Sequence, residues 1–216
     1  MARPRRELAL VKAFLAPRVL TLEQLSRKLD ASRSTILRRL DEHGYYSSYN
    51  HSGRFLTIGE VTEFDSRGLW SFKTARFSEH GNLKETAAHF VASSEAGLNH
   101  QELAALLAVR LHNPLLELVE DGRVSRQRLG GRYVYLSSKA RDRSPQVRQR
   151  TALVKEAEKP RPSSRQIIAT LLELIKDPEA TAAEILGRCQ RAGTLISGQL
   201  LEVIFERYDL DKKRAP

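Results

Sequence analysis

The stretch TLEQLSRKLDASRSTILRRLDEHG, residues 21–44, constrains the fold more than any other part of the chain. Thr21 is followed three positions later by Gln24, the pairing that satisfies orphan backbone donors at a helix start. Leu22, Leu25 and Leu29 then recur at helical spacing and supply a buried face. Asp30-Ala31 makes a turn, and a further helix opens at Ser32 or at Arg33-Ser34 and runs to about Glu42. Ile36, Leu37 and Leu40 face the core, while Ser34, Thr35, Arg38, Arg39 and Asp41 are left more exposed. An earlier helix over residues 5–16 is read from Leu8, Leu10, Val11, Phe14 and Leu15, and Pro17 interrupts it. Gly44 closes the series. The segment YYSSYNHSGRFLTIG then reads as a hairpin with its tip at residues 50–53. Tyr45, Tyr46 or Tyr49 covers the small core from one strand, and Phe55, Leu56 and Ile58 from the other.

The same order recurs at residues 81–138. Leu83 to Val91 forms a helix with Ala87, Ala88 and Phe90 on its packing face. Asn99 with Glu102 repeats the cap, and Leu103, Leu106 and Leu107 define the second helix. Asn113-Pro114 opens a third, with proline expected at its first position, where the missing donor costs little. Leu115, Leu116, Leu118 and Val119 are its buried face, and Asp121-Gly122 ends it. Val124 begins a strand, Gly130-Gly131 turns, and RYVYLS alternates as the return strand. This third helix carries Glu117, Glu120 and Asp121, so the basic residues shift to the hairpin: Arg123, Arg126, Arg128 and Arg132.

Residues 61–80 read as an extra β-hairpin turning at Asp65-Ser66-Arg67-Gly68, with Trp70 expected in a core or interface. Residues 139–163 are highly charged and proline-containing, and are expected to be a basic linker, flexible or partly helical. Residues 164–210 return to helical periodicity as a three-helix unit. Ile167, Ile168, Leu171, Leu172 and Ile175 form one apolar stripe, Thr181 with Glu184 caps a second helix, and Ile196 to Tyr208 forms the last. Cys189 is read as a packing residue.

A net charge of +10 over 216 residues favours a polyanionic partner without specifying a fold. The charge is concentrated: +5 over residues 1–60, −4 over 61–122, +10 over 123–165 and −1 over 166–216. A single cysteine excludes an intrachain disulfide and zinc sites of four cysteines or of two cysteines and two histidines. No apolar run approaches a membrane span, and Glu7 and Lys12 interrupt the one apolar stretch near the start. There is no phosphate-binding glycine loop, dinucleotide fingerprint, nucleophile elbow or zinc cluster. The expectation is therefore no catalytic residue, no metal, no cofactor, no membrane association, and a cytoplasmic, nucleoid-associated location.

Residues 21–46 followed by the hairpin around NHSG resemble the winged helix-turn-helix superfamily, and NHQELAALLAVRLHNPLLELVEDGRVSRQRLGGRYVYLS extends the resemblance through the middle of the chain. The resemblance implies a fold that is mainly α with short β-hairpin wings. It would be built as tandem winged helix-turn-helix modules at 1–60 and 81–138 plus a C-terminal helical, helix-turn-helix-like unit. It also implies that residues 32–39 match the recognition helix and Arg54 the wing, on double-stranded DNA. The candidate DNA contacts are Ser32, Arg33, Ser34, Thr35, Arg38, Arg39 and Arg54 in the first module. In the second they are Arg110, His112, Asn113, Arg123, Arg126, Arg128 and Arg132. The functions this family suggests are a sequence-specific transcriptional regulator of a prokaryote, a DNA-binding accessory or replication-initiation protein of a plasmid or mobile element, or a winged-helix protein-interaction adaptor. A homodimer or another protein partner is expected to engage residues 164–208.

Overall fold

The computed structural model describes residues 3–210, with side chains from Leu8 onward; the basic side chains at positions 3–6 lie outside that range. It is mixed α/β, rich in helix, with three small antiparallel sheets among the described residues. The chain divides into two compact units, residues 1–151 and 152–216.

The first unit opens with α1 (Arg3–Leu15), β1 (Leu20–Thr21), α2 (Leu22–Leu29), α3 (Arg33–His43), β2 (Tyr46–Ser47) and β3 (Phe55–Thr57). Leu10, Phe14, Leu25, Ile36, Leu40, Leu56 and Ile58 form its core. The strands pair in the order β1-β3-β2, with Leu20 opposite Leu56 and Tyr46 opposite Thr57. Thr21 serves two elements at once. It ends β1, and its hydroxyl accepts from the Gln24 amide at 3.3 Å while its own N–H donates to Gln24 Oε1 at 2.8 Å. Asp30 takes the left-handed conformation that ends α2, and Ser32 caps α3 by accepting from the Thr35 amide.

The element order then repeats as α4 (Leu83–Ser93), β6 (Leu98–Asn99), α5 (His100–Leu107), α6 (His112–Glu120), β7 (Val124–Leu129) and β8 (Arg132–Ser137). Its sheet has the equivalent order, β6-β8-β7. Asn99 repeats the double duty of Thr21, exchanging hydrogen bonds with Glu102. Ala108 ends α5 in the left-handed region, as Asp30 ends α2. Pro114 is the third residue of α6 and not the first; its missing N–H still falls among the unbonded donors of the first turn.

Between the two copies lies a hairpin, β4 (Leu69–Phe72) and β5 (Ala75–Ser78). Its turn is Lys73-Thr74, with Lys73 at φ 53°, and not Asp65–Gly68 as the sequence suggests. The Asp65 carboxylate accepts from the Arg67 and Leu69 amides, so that segment makes a local turn leading into β4. The register is set by the aromatics: Trp70 lies opposite Phe77, with ring centroids 5.2 Å apart. Trp70 is buried in a small cluster with Ala75 and Phe77, and the Arg18 guanidinium lies 5.2 Å from its ring centroid.

Three further placements differ from the sequence reading. Tyr49 belongs to the core of the second copy, with Leu103, Leu107, Leu111, Leu115 and Leu118, and not to that of the first. Most of the expected linker is α7 (Ala140–Glu158). Its polar side chains hold it: Gln146 accepts from the Ser137 amide and donates to the Val91 and Ser94 carbonyls, each at 2.8 Å. Arg150 donates to the Ala96 and Gly97 carbonyls and to both oxygens of Glu102. The third difference lies in the second unit, built from α8 (Ser164–Lys176), α9 (Ala182–Arg191) and α10 (Gly198–Arg207) around Ala180, Ile185, Cys189, Leu201 and Phe205. There α8 turns Thr170, Ala169 and Leu174 inward, leaving Ile168, Leu172 and Ile175 exposed at 56%, 49% and 76%. Among the described residues, no helix is long and apolar enough to cross a membrane.

Candidate nucleic-acid interface

Helix α3 is anchored on one side by Ile36 and Leu40, both fully buried, which fixes the rotation of its opposite side. That opposite side carries Ser34, Arg38 and Asp41, all exposed, while Arg33 is exposed as the first residue of the helix and Thr35 and Arg39 are half-buried. Leu37, read from the sequence as a core residue, is 38% exposed and stands on the open side as well. At helical geometry it lies about 90° from the buried direction, outside the narrow sector that a helix of this size buries. Ser32 is committed to capping: its hydroxyl meets Ser34 Oγ at 3.1 Å and Thr35 Oγ1 at 2.9 Å. Arg33 pairs with Glu23 at 3.4 Å, with both side chains largely solvated, so the pair is weak and readily exchanged. Arg38 has no ion pair among the described residues.

The tip after β2 is not a free loop. The Tyr49 amide donates to the Arg76 carbonyl at 2.8 Å. The Asn50 side chain donates to the Thr74 carbonyl at 2.7 Å and accepts from the Arg76 amide at 3.0 Å, and the His51 ring contacts the same Thr74 carbonyl at 3.1 Å. The turn of the β4–β5 hairpin is thereby held against the tip that carries Arg54. Arg54 itself is exposed.

In the second copy the charges are arranged differently. Glu117 on α6 pairs with Lys84, and Arg123 pairs with Glu85 at 3.1 Å, so Arg123 already has a partner and joins β7 to α4. Arg110, His112 and Asn113 are exposed. The His112 ring centroid lies 6.5 Å from that of His100, and the neighbouring Gln101 accepts from Arg132 at 3.4 Å. The start of α6, the start of α5 and one edge of the β7–β8 hairpin thus share one side. The Arg126 guanidinium covers the ring of Tyr133 at 4.7 Å, and Tyr133 remains 56% exposed. Among the described residues Arg128 reaches only the Gly131 carbonyl, at 3.4 Å. Tyr133, Gln101 and Lys73 were not singled out from the sequence. The signal available for Tyr133 was its cross-strand place opposite Arg128.

Two further side-chain contacts belong to the scaffold of this unit, an ion pair and a stacked histidine pair. Burial acts to raise the Glu102 pKa, but hydrogen bonds from Arg150 and the Asn99 amide outweigh it and hold the carboxyl below its ordinary value. His80 and His89 stack with centroids 3.6 Å apart, and burial followed by the neighbouring His80 lowers the His89 pKa. No group of three or more potential metal ligands gathers among the described residues. Compared with protein-family models, curated proteins and solved structures, the chain matches none.

Proposed function

We propose that this chain is a sequence-specific double-stranded DNA-binding protein, a transcriptional regulator whose residues 5–60 act as a winged helix-turn-helix reading head. The observation that carries the reading is the face of α3. A capped helix, rotated rigidly by Ile36 and Leu40, presents Arg33, Ser34 and Arg38 to solvent. A helix of that diameter fits the major groove, where base edges offer a distinguishing pattern of donors and acceptors. Its N-terminal amides and serines suit a phosphate oxygen, and Arg38, one turn further on, suits a guanine edge. The second copy contributes differently. Its α6 face is acidic, so contact would come from Arg126, Arg128 and Arg132 on the β7–β8 hairpin, through phosphates. One chain would then engage two unlike stretches of a single site.

Selection of binding sites from random duplexes, followed by footprinting at a stated salt concentration, tests the reading. An enriched motif is the expected result. Arg38→Ala then relaxes preference at one position by about 1–3 kcal/mol, whereas Arg128→Ala weakens all sequences alike. A chain that enriches no motif, with Arg38→Ala binding as the wild type does, overturns the proposal and leaves the adaptor function. Where the enriched motif falls, upstream of genes or in clustered repeats, separates a regulator from an accessory protein of a mobile element.

A further inference from the structure

The β4–β5 hairpin is the feature that neither the tandem repeat nor the reading head requires. Its turn, Lys73-Thr74, is fastened to the tip that carries Arg54 by the Asn50 and His51 bonds to Thr74 and by the Asn50 and Tyr49 bonds to Arg76. Residues 23 to 27 positions apart in sequence thus form one blunt projection. It displays Arg54 and Lys73 to solvent, and Arg76 is half-buried. No Asp or Glu occurs in residues 44–59 or 66–78. Among the described residues, neither Arg54 nor Lys73 has an ion pair; the Lys73 ammonium meets only the face of Phe72, at 5.7 Å. Cations collected without internal counter-charge repel one another. Here backbone and amide hydrogen bonds hold together the two segments that carry them, which keeps both exposed for an external polyanion.

We infer that this composite tip is a second phosphate-binding surface, in which Lys73 from the extra hairpin and Arg54 from the first module together grip the backbone of duplex DNA. The inference rests on the DNA-binding reading. It adds a part of the chain that the reading head alone leaves without a role. Lysine suits this task because it acts as a flexible point charge and confers no base preference.

The test uses the full chain and a 30-base-pair duplex of mixed sequence, with affinity measured by fluorescence anisotropy across a series of NaCl concentrations. Each phosphate contact removed should make the slope of log affinity against log salt shallower by about 0.9. Lys73→Gln is expected to weaken binding roughly threefold to tenfold at low salt and to flatten the slope by about one contact. Arg54→Gln with Lys73→Gln should flatten it by about two. Lys73→Arg should bind as the wild type does. So should Arg67→Gln, at the far end of the hairpin, where the arginine already pairs with Asp65. Asn50→Ala, which unfastens the turn, should shrink the effect of Lys73→Gln. Thermal midpoints taken alongside show that the variants are folded. A slope unchanged by Lys73→Gln in a chain that still binds DNA overturns the composite tip alone. A wild-type chain that binds no duplex overturns the proposed function, and the tip with it.

Discussion

Tyr49 donates its phenolic hydrogen to the carbonyl of Leu107 across 3.0 Å, placing a residue from the first helix-and-hairpin segment inside the core of the second. Burial pushes the Tyr49 pKa up, as befits a phenol kept protonated and donating. Tyr49→Phe keeps the ring and leaves that carbonyl buried without its donor. The expected cost is about 1–2 kcal/mol. For a unit of this size that is a fall of roughly 2–8 °C in Tm, read by circular dichroism. An unchanged Tm would mean that the hydroxyl contributes nothing to joining the two segments.

Leu37 yields a prediction about base recognition. An apolar side chain on the open face of α3 suits the 5-methyl group of thymine. Within a selected site, replacing each thymine by uracil in turn should weaken the wild-type chain at one position and leave Leu37→Ala indifferent there. Equal sensitivity in both proteins would remove Leu37 from the recognition surface.

Gln146 and Arg150 carry the packing of α7. Gln146→Ala strips partners from the Ser137 amide and from the Val91 and Ser94 carbonyls. An expected loss of about 2–4 kcal/mol follows from several buried groups left unpaired. Gln146→Glu separates shape from bonding, since it keeps the acceptor for Ser137 and loses both donors. Urea denaturation checks the ordering, with the wild type most stable and Gln146→Glu least, because its carboxylate faces two carbonyl oxygens in a buried site.

The Glu102–Arg150 pair predicts acid sensitivity. The Glu102 carboxyl is held below its ordinary value of 4.5, so the native state binds its proton less readily than the unfolded chain does. Its stabilising contribution is complete above that ordinary value and is lost as pH falls through the lowered one. Arg150→Met should flatten the dependence of stability on pH in this acidic window and leave it unchanged between pH 6 and 8. A profile that keeps its acid limb in Arg150→Met would place the responsible carboxylates elsewhere.

In the second unit, exposure decides the cost of substitution. Leu172→Lys, at a half-exposed position, should change stability by less than about 0.5 kcal/mol. Ile185→Ala, at a fully buried one, should cost about 2–5 kcal/mol. Thermal melts of the two variants test whether the exposed side of α8 and the buried side of α9 have been assigned correctly.

Local chemistry was legible in the chain itself. The caps at Thr21, Asn99 and Thr181 were visible because both partners of each lie within one helical turn. The face of α3 was visible in the same way, apart from Leu37, which periodicity assigned to the core. A period of 3.6 residues marks an apolar side but not how wide a sector the neighbours cover. The same limit misplaced Ile168, Leu172 and Ile175. A partly helical linker is what the sequence allows over α7, but its packing is hidden for a different reason. Its anchors are a glutamine and an arginine, residue types that hydropathy assigns to solvent, and all their partners but Ser137 stand 48 to 55 positions away.

By itself, then, the sequence determined the order of helices and hairpins, their repetition, and the basic stretches that include the face of α3. These depend on contacts within a turn or across a hairpin. Only the tertiary structure decided that Tyr49 belongs to the second core, that α7 packs where a linker was expected, and that the Lys73-Thr74 turn is fastened to the tip that carries Arg54. Each of those outcomes depends on backbone carbonyls and amides, which every residue carries alike. A hydrogen bond from Asn50 to Thr74 leaves no mark in composition or periodicity until folding brings the two together.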